Sequence, residues 1–114
     1  MTFLRILYVD SDIKRQELVK AAIRKEHPEH DVFVSPSLPL AKSKLDYEGP
    51  FDLVILASSV DEPRSGDGLL FAHSLHLSNQ KVVTLTPGDK GIKGIPRVSF
   101  NSPTMLEELV ALLK

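Results

Sequence analysis

Residues 51–60 read FDLVILASSV, and their apolar run decides the fold class. Leu53–Leu56 shows no alternation of polar and apolar side chains, which is typical of a strand buried on both faces of a parallel sheet. In an open α/β sheet, binding and catalytic groups commonly lie just beyond the carboxyl ends of the strands. This strand instead ends on Ala57, Ser58 and Ser59, which offer little chemistry. The function of the chain therefore depends on what replaces a reactive group there.

Further apolar segments on both sides of this run are predicted to be strands, and helical patterns separate most of them. The other predicted strands are Leu4–Val9, Val32–Val34, 81–86 and 97–100. Helices are predicted from Ser11 or Asp12 to Pro28, over 39–49, over 69–77 and over 102–113. Such alternation predicts an α/β fold with a parallel sheet and helices on both faces, filling one domain over residues 1–114.

The two longest amphipathic patterns predict which helix residues face the core. The stripe predicted for the first helix is Ile13, Leu18, Ala21, Ala22 and Ile23. The stripe predicted for the last helix is Leu106, Leu109, Val110 and Leu113. A solvated face of the first helix is predicted to carry its cations, which are Lys14, Arg15, Lys20, Arg24 and Lys25.

Composition narrows the class of protein. The chain has 114 residues, 42% of them hydrophobic, and no apolar run near the roughly 20 residues of a membrane span. The first ten residues lack the basic, apolar and small-residue order of a signal peptide, so we expect a cytoplasmic protein with no membrane partner. There are 0 cysteines, which excludes disulfides and thiolate chemistry, and the net charge of −1 gives no reason to expect nucleic-acid binding.

Four short segments, in this order, resemble the receiver domain of bacterial response regulators. They are ILYVDSD at 6–12, FDLVILA at 51–57 with DG at 67–68, VVTLT at 82–86 and SPTMLEEL at 102–109. The resemblance covers nearly the whole chain and implies the flavodoxin-like, CheY-like fold, a doubly wound five-stranded parallel sheet of order 2-1-3-4-5. One departure is PGDKGIKGIP at 87–96, whose three Gly and two Pro predict a fourth helix that is shortened or absent.

The resemblance also assigns a pocket at the ends of the strands. In receiver domains an acidic pair holds magnesium and an Asp accepts the phosphoryl group. A hydroxyl residue lies in the same pocket, and a Lys pairs with the phosphoryl group. The residues that resemblance places in this pocket are Asp10, Ser11, Asp12, Ala57, Ser59, Thr86 and Ser102. Ala57 stands where the family has the acceptor Asp, Ser11 where it has the second acid and Ser102 where it has the Lys.

These substitutions remove the chemistry of the family. A methyl group cannot attack phosphorus, so Ala57 cannot become phosphorylated. Magnesium usually needs one or two carboxylates among about six oxygen ligands, so we expect no tight metal site, no cofactor and no catalytic residue. We therefore predict a pseudo-receiver, a domain that docks an unidentified signalling protein without phosphorylation and could form a homodimer.

Two other functions remain open from the sequence. A small-molecule or nucleotide-binding domain would use a cleft lined by Asp10, Ser58, Ser59, Thr86 and Ser102. An enzyme is a weaker hypothesis, because Asp10 and Asp12 have no visible base–nucleophile partner. Asp61 could be a displaced acceptor, His73 and His76 could bind a metal, and His27 and His30 are predicted to be solvated.

Overall fold

The central strands are built from apolar residues that are buried on both faces of one sheet. The computed structural model describes residues 4–57, 73–86, 94–99 and 103–112. Its strands are β1 (Arg5–Val9), β2 (Asp31–Ser35), β3 (Leu53–Ala57), β4 (Val82–Thr86) and β5 (Arg97–Ser99). All neighbouring pairs are parallel and the order is β2-β1-β3-β4-β5, which confirms the predicted doubly wound topology.

Helices cover both faces of this sheet. They are α1 (Ile13–Glu26), α2 (Leu38–Tyr47), α3 (residues 73–77 of the described chain) and α4 (Met105–Ala111). Val19, Ile23 and Leu109 place α1 and α4 on one face, against Ile55 and Leu85. On the other face α2 and α3 contact a second apolar cluster through Leu38, Ala41 and Leu75. In the described part of the chain, no helix is long and apolar enough to span a membrane.

Most predicted element boundaries in the described residues agree with the structure to within one or two residues, but the last helix begins at Met105, three residues later than predicted. Of the two predicted caps, Ser11 and Asp12, Asp12 is the N-cap of α1, and its carboxylate accepts a hydrogen bond from the Arg15 N–H. Gly49 follows α2 at a point where a Cβ atom would lie 2.5 Å from the Leu45 carbonyl oxygen, so a side chain is excluded there. No helix occurs in 94–96, the described part of the segment between β4 and β5, and residues 87–93 lie outside the described chain.

The predicted apolar stripe of α1 is wrong in most of its members. Val19 and Ile23 are the buried residues of this helix, whereas Ile13 and Leu18 are 71% and 55% exposed. The reason is that α1 turns the side of Val19 and Ile23 towards the sheet, about a quarter turn from the stripe that contains Leu18. An apolar side of α1 is thus left outside the core.

Arg5 joins the beginning of β1 to the end of α2. Its guanidinium donates to the main-chain oxygens of Pro50 and Glu48 at 3.0 and 2.7 Å, and it lies 5.3 and 5.1 Å from the ring centres of Phe33 and Phe51. Both the forked donors and the flat stacking surface are specific to arginine.

We therefore expect Arg5→Lys to lower the free energy of unfolding by about 1–2 kcal/mol, since one ammonium cannot replace both hydrogen bonds and the two ring contacts. Urea denaturation measures the change. Arg24→Lys, on an exposed part of α1, is the matched control and should change it by less than about 0.5 kcal/mol. Equal effects of the two substitutions would contradict the role given to Arg5.

Candidate functional site

The described residues of the predicted pocket lie where β1, β3 and β4 end. Val9 pairs with Leu56 in the sheet, so Asp10 and Ala57 each follow one residue later at the same edge. Asp10, Ala57 and Thr86 are all fully buried. Ser11 and Asp12 lie beside them and are exposed. Ser59 and Ser102, with Ser58 and Asp61, lie outside the described residues.

The carboxylate of Asp10 is surrounded by hydrogen-bond donors from the protein itself. Arg15 binds it with two donors, Nε to Oδ2 at 2.5 Å and Nη2 to Oδ1 at 2.8 Å. The Tyr8 hydroxyl donates to Oδ2 at 2.5 Å, and the Asp12 N–H donates to Oδ1 at 2.9 Å. Such a two-pronged arginine contact is among the strongest charge-assisted hydrogen bonds in proteins. The only acid of the predicted pocket that is buried is thus neutralised internally.

Arg15 reaches this position because it lies in the first turn of α1. Its prediction as part of a solvated cationic face was wrong, since its side chain is only 17% exposed. Burial by itself would lower the pKa of Arg15, but the hydrogen bonds and negative charge of Asp10 outweigh it and raise that pKa. The guanidinium therefore stays charged as a fixed counter-ion of Asp10.

Asp12 and Gln16 hold the turn that carries Arg15. The Arg15 N–H lowers the pKa of the Asp12 carboxyl by donating to it, and the nearby Arg15 guanidinium acts in the same direction. Asp12 Oδ2 lies 3.5 Å from Arg15 Nη1, and the Gln16 side-chain amide donates to the main-chain oxygen of Asp10. Asp12 therefore caps the helix and faces Arg15, which leaves it poorly placed to take over the role of a second metal ligand.

The residues described here do not fit a magnesium ion. A receiver-like metal site would need several oxygen ligands, with carboxylates among them. Ala57 supplies a methyl group, and both oxygens of Asp10 accept from a cation and from neutral donors. A divalent ion at Asp10 would have to displace Arg15 and leave its guanidinium without this partner. In this site the guanidinium of Arg15 occupies the place beside Asp10 that a metal ion would need.

Tyr8 makes this site sensitive to alkaline pH. Burial raises the pKa of its phenol well above the ordinary value of 10.0, and the hydrogen bond to Asp10 and the charge of Asp10 raise it further. Between pH 10 and the raised value, the unfolded chain loses this proton while the folded chain keeps it. The contribution of Tyr8 to the free energy of unfolding is therefore fully present below about pH 10. Above that pH it falls by about 1.4 kcal/mol per pH unit.

We expect the Tyr8→Phe substitution to remove this part of the alkaline loss of stability. In a Tyr47→Phe background Tyr8 is the sole tyrosine, and the chain has 0 Trp, so phenolate absorbance reports Tyr8 alone. That absorbance should appear together with the unfolding seen by circular dichroism. Phenolate formed in the folded protein would contradict the hydrogen bond to Asp10.

A second group of potential metal ligands lies between α1 and β2. The ligand atoms of His27, Glu29 and His30 lie within 4.8 Å of one another. However, the Nδ1 atom of His30 accepts from the Leu4 N–H at 3.2 Å, which places the proton of the neutral ring on Nε2 and leaves no lone pair for a metal. The prediction that both histidines are solvated is wrong, since His30 is 9% exposed and the side chain of His27 is 15% exposed.

His27 has a structural role of its own. Its Nε2 atom lies 3.2 Å from the Val110 carbonyl oxygen, so the end of α1 is joined to α4, and its ring stacks on His30. His73 and His76 are both exposed, and among the described residues they do not gather with a third potential ligand.

Comparison with known structures identifies this fold. The receiver domain of the Francisella response regulator 1452 is similar with a TM-score of 0.75 at 17% identity, over 96% of this chain and 93% of that chain. The chemotaxis response regulator CheY4 of Vibrio cholerae is similar with a TM-score of 0.74 at 15% identity, over 99% and 100%. NtrX from Brucella abortus is similar with a TM-score of 0.75 at 20% identity, over 98% of this chain and 26% of that chain.

Sequence comparisons add no closer relationship. No protein-family model matches the chain, and no curated protein matches it significantly. The chain therefore has the CheY-like receiver fold, while its activity has to be argued from its own residues.

Proposed function

We propose that this chain is a pseudo-receiver, a signalling domain that has kept the receiver fold and does not use phosphorylation. The fold likeness supports a role in signal transduction. The substitution of the acceptor position by Ala57 supports the loss of phosphoryl transfer, since that residue ends β3 in a buried position beside the end of β1.

The observation that carries this proposal is the Asp10–Arg15 pair. In a receiver domain, clustered carboxylates repel one another until a cation binds, so the ligand-free site is held in a state of higher energy. Here the guanidinium of Arg15 is part of the same chain and neutralises Asp10 without a bound ion. The site therefore has one stable arrangement, and neither magnesium nor a phosphoryl group is required to reach it.

A domain of this kind acts by binding a protein, not by catalysis. The described residues of the site include no nucleophile paired with a base, because Ala57 is inert, and the carboxylate of Asp10 is engaged on both oxygens. The same engagement argues against a small-molecule cleft at the strand ends. We propose a signalling protein as the partner, bound through the outer surface of the fold.

The test is to offer the protein the reagents that modify receiver domains. We expect acetyl phosphate with magnesium to leave its mass unchanged, and magnesium with beryllofluoride to leave its melting temperature unchanged, because a bound ligand would stabilise the fold. A phosphorylatable receiver domain treated in parallel is the positive control.

A gain in mass of one phosphoryl group would overturn the proposal. The same reaction on Asp61→Asn then decides whether the displaced carboxylate predicted from the sequence is the acceptor. Loss of the modification in that variant would identify it.

A further inference from the structure

The strand β2 forms one outer edge of the sheet, and some of its backbone groups have no hydrogen-bond partner among the described residues. The N–H of Asp31 donates at 2.9 Å and the carbonyl oxygen of Ser35 accepts at 3.0 Å, both in bonds to the residues that flank β1. In a parallel pair of strands, every second residue directs its N–H and C=O to the same neighbour. Val32 and Val34 therefore direct theirs to the outside of the sheet, where the described chain offers neither donor nor acceptor.

The side chains of β2 do not protect this edge. Val32, Phe33 and Val34 are half-buried apolar residues, and Asp31 is the one charged residue of the strand. Edge strands of proteins that stay separate are commonly protected by Lys, by Pro, by a bulge or by very short length. The strand β2 contains no Lys and no Pro, and its five residues pair with β1 in unbroken register. It thus has none of these protections.

The opposite edge of the sheet is built differently. The strand β5 has only three residues, and one of them is the exposed Arg97. Short length and a cation are two of the features that keep an edge from pairing with another chain. Of the two edges of this sheet, β2 is therefore the one that is prepared to accept a further strand.

We infer that the occupant of this edge is β2 of a second copy of the chain, paired antiparallel about a two-fold axis at Phe33. Outward N–H and C=O groups that recur along an extended strand match those of another extended strand. The axis sets Val32 of each copy opposite Val34 of the other. Each of these two pairs exchanges two N–H···O bonds, so all the outward groups of Val32 and Val34 are satisfied in both copies.

The strand is complementary to itself in this arrangement. The valines of the two copies meet on one face of the joined sheet, and the two Phe33 side chains meet on the other. Cross-strand pairs of β-branched and of aromatic side chains stabilise antiparallel sheets. Asp31 lies opposite Ser35 of the second copy, so the two Asp31 carboxylates lie at opposite ends of the contact, about 14 Å apart along the strands. No like charges of β2 therefore face each other across the pair.

This dimer does not depend on the chemistry at Asp10 or on the signalling role proposed above. Sedimentation velocity over the micromolar to millimolar range should show reversible dimerisation of the unmodified chain. Val34→Pro removes one outward N–H from each copy and should weaken the dimer at least tenfold, while an outward-facing Pro is tolerated in an edge strand. Val34→Thr is the matched control, because it keeps that N–H and a β-branched shape, and it should leave dimerisation unchanged.

Two results of this experiment would overturn the inference. One is an unmodified chain that stays monomeric over the whole range, and the other is a folded Val34→Pro variant that dimerises as the unmodified chain does. Circular dichroism establishes that each variant is folded.

A cysteine at the axis tests the register and needs no proline variant. The chain has 0 Cys, so Phe33→Cys introduces its only thiol. The two copies of residue 33 form a non-hydrogen-bonded antiparallel pair with Cα atoms about 4.5 Å apart, a separation that a disulfide spans. Under a mild oxidant, Phe33→Cys should form a covalent dimer at least tenfold faster than Tyr47→Cys, whose position on α2 is 88% exposed. Equal rates for the two variants would contradict the pairing of β2 with itself.

Discussion

Replacing Arg15 with methionine is expected to destabilise the chain by about 3–5 kcal/mol, which is the usual cost of removing one member of a buried ion pair. Methionine keeps most of the length of the side chain and removes both hydrogen bonds to Asp10. The carboxylate of Asp10 is fully buried and would keep only Tyr8 and the Asp12 N–H as donors. Thermal denaturation should show a melting temperature lower by roughly 10–20 °C.

Two further variants test whether the loss of stability comes from the ion pair. Lys14→Met changes an exposed neighbour of the same charge and should alter stability by less than about 0.5 kcal/mol. The double variant Asp10→Leu and Arg15→Met should lose less free energy of unfolding than the sum of the losses of the two single variants. The reason is that the double variant leaves no buried charge without its partner. A loss below about 1 kcal/mol for Arg15→Met would mean that Asp10 does not depend on the guanidinium.

The consequence of this pair is that one fold can carry two opposite designs at the same edge of its sheet. Repelling carboxylates make a site that changes state when a cation and a phosphoryl group arrive. A carboxylate paired with an arginine of its own chain has its counter-charge before any cation arrives. The function proposed above, surface binding without a chemical trigger, rests on this difference.

The fold could be predicted from the sequence because its signals are local. The run Leu53–Leu56 has no polar interruption, and a strand that is buried on both faces requires that pattern. Asp12 and Gly49 mark helix ends for reasons that act within a few residues, a side-chain cap and a position with no room for a Cβ atom. The strand order followed from the resemblance to receiver domains.

The site was only partly predictable, because its decisive contacts join residues through space. The sequence placed Asp10 and Ala57 at the strand ends, but it predicted that Arg15 lies on a solvated face with the other cations of α1. A buried carboxylate without a metal requires a counter-charge, and Arg15 is the cation in the first turn of the following helix, so this signal was available. The packing angle that exposes Leu18 has no comparable local signal, since it depends on how α1 lies on the sheet.

Reversing the substitutions is expected to create a metal-dependent protein. In the triple variant Ser11→Asp, Arg15→Ala and Ala57→Asp, the internal cation is removed and two carboxylates are placed beside Asp10 at the strand ends. We expect this variant to be several kcal/mol less stable than the original chain in the absence of divalent cations, because three carboxylates then repel one another in a partly buried site. Magnesium at 100 times its dissociation constant should restore about 2.7 kcal/mol.

A second triple variant, with Ala57→Asn in place of Ala57→Asp, is the control for the new carboxylate at position 57. It tests the two roles of that carboxylate, binding magnesium and accepting a phosphoryl group. It offers one carboxylate fewer, so magnesium should stabilise it less, and acetyl phosphate should modify the triple variant alone. The original chain should not respond to magnesium in either measurement. A folded triple variant that magnesium fails to stabilise would show that position 57 does not face Asp10 closely enough to share a cation, and the correspondence of Ala57 with a phosphoacceptor would have to be abandoned.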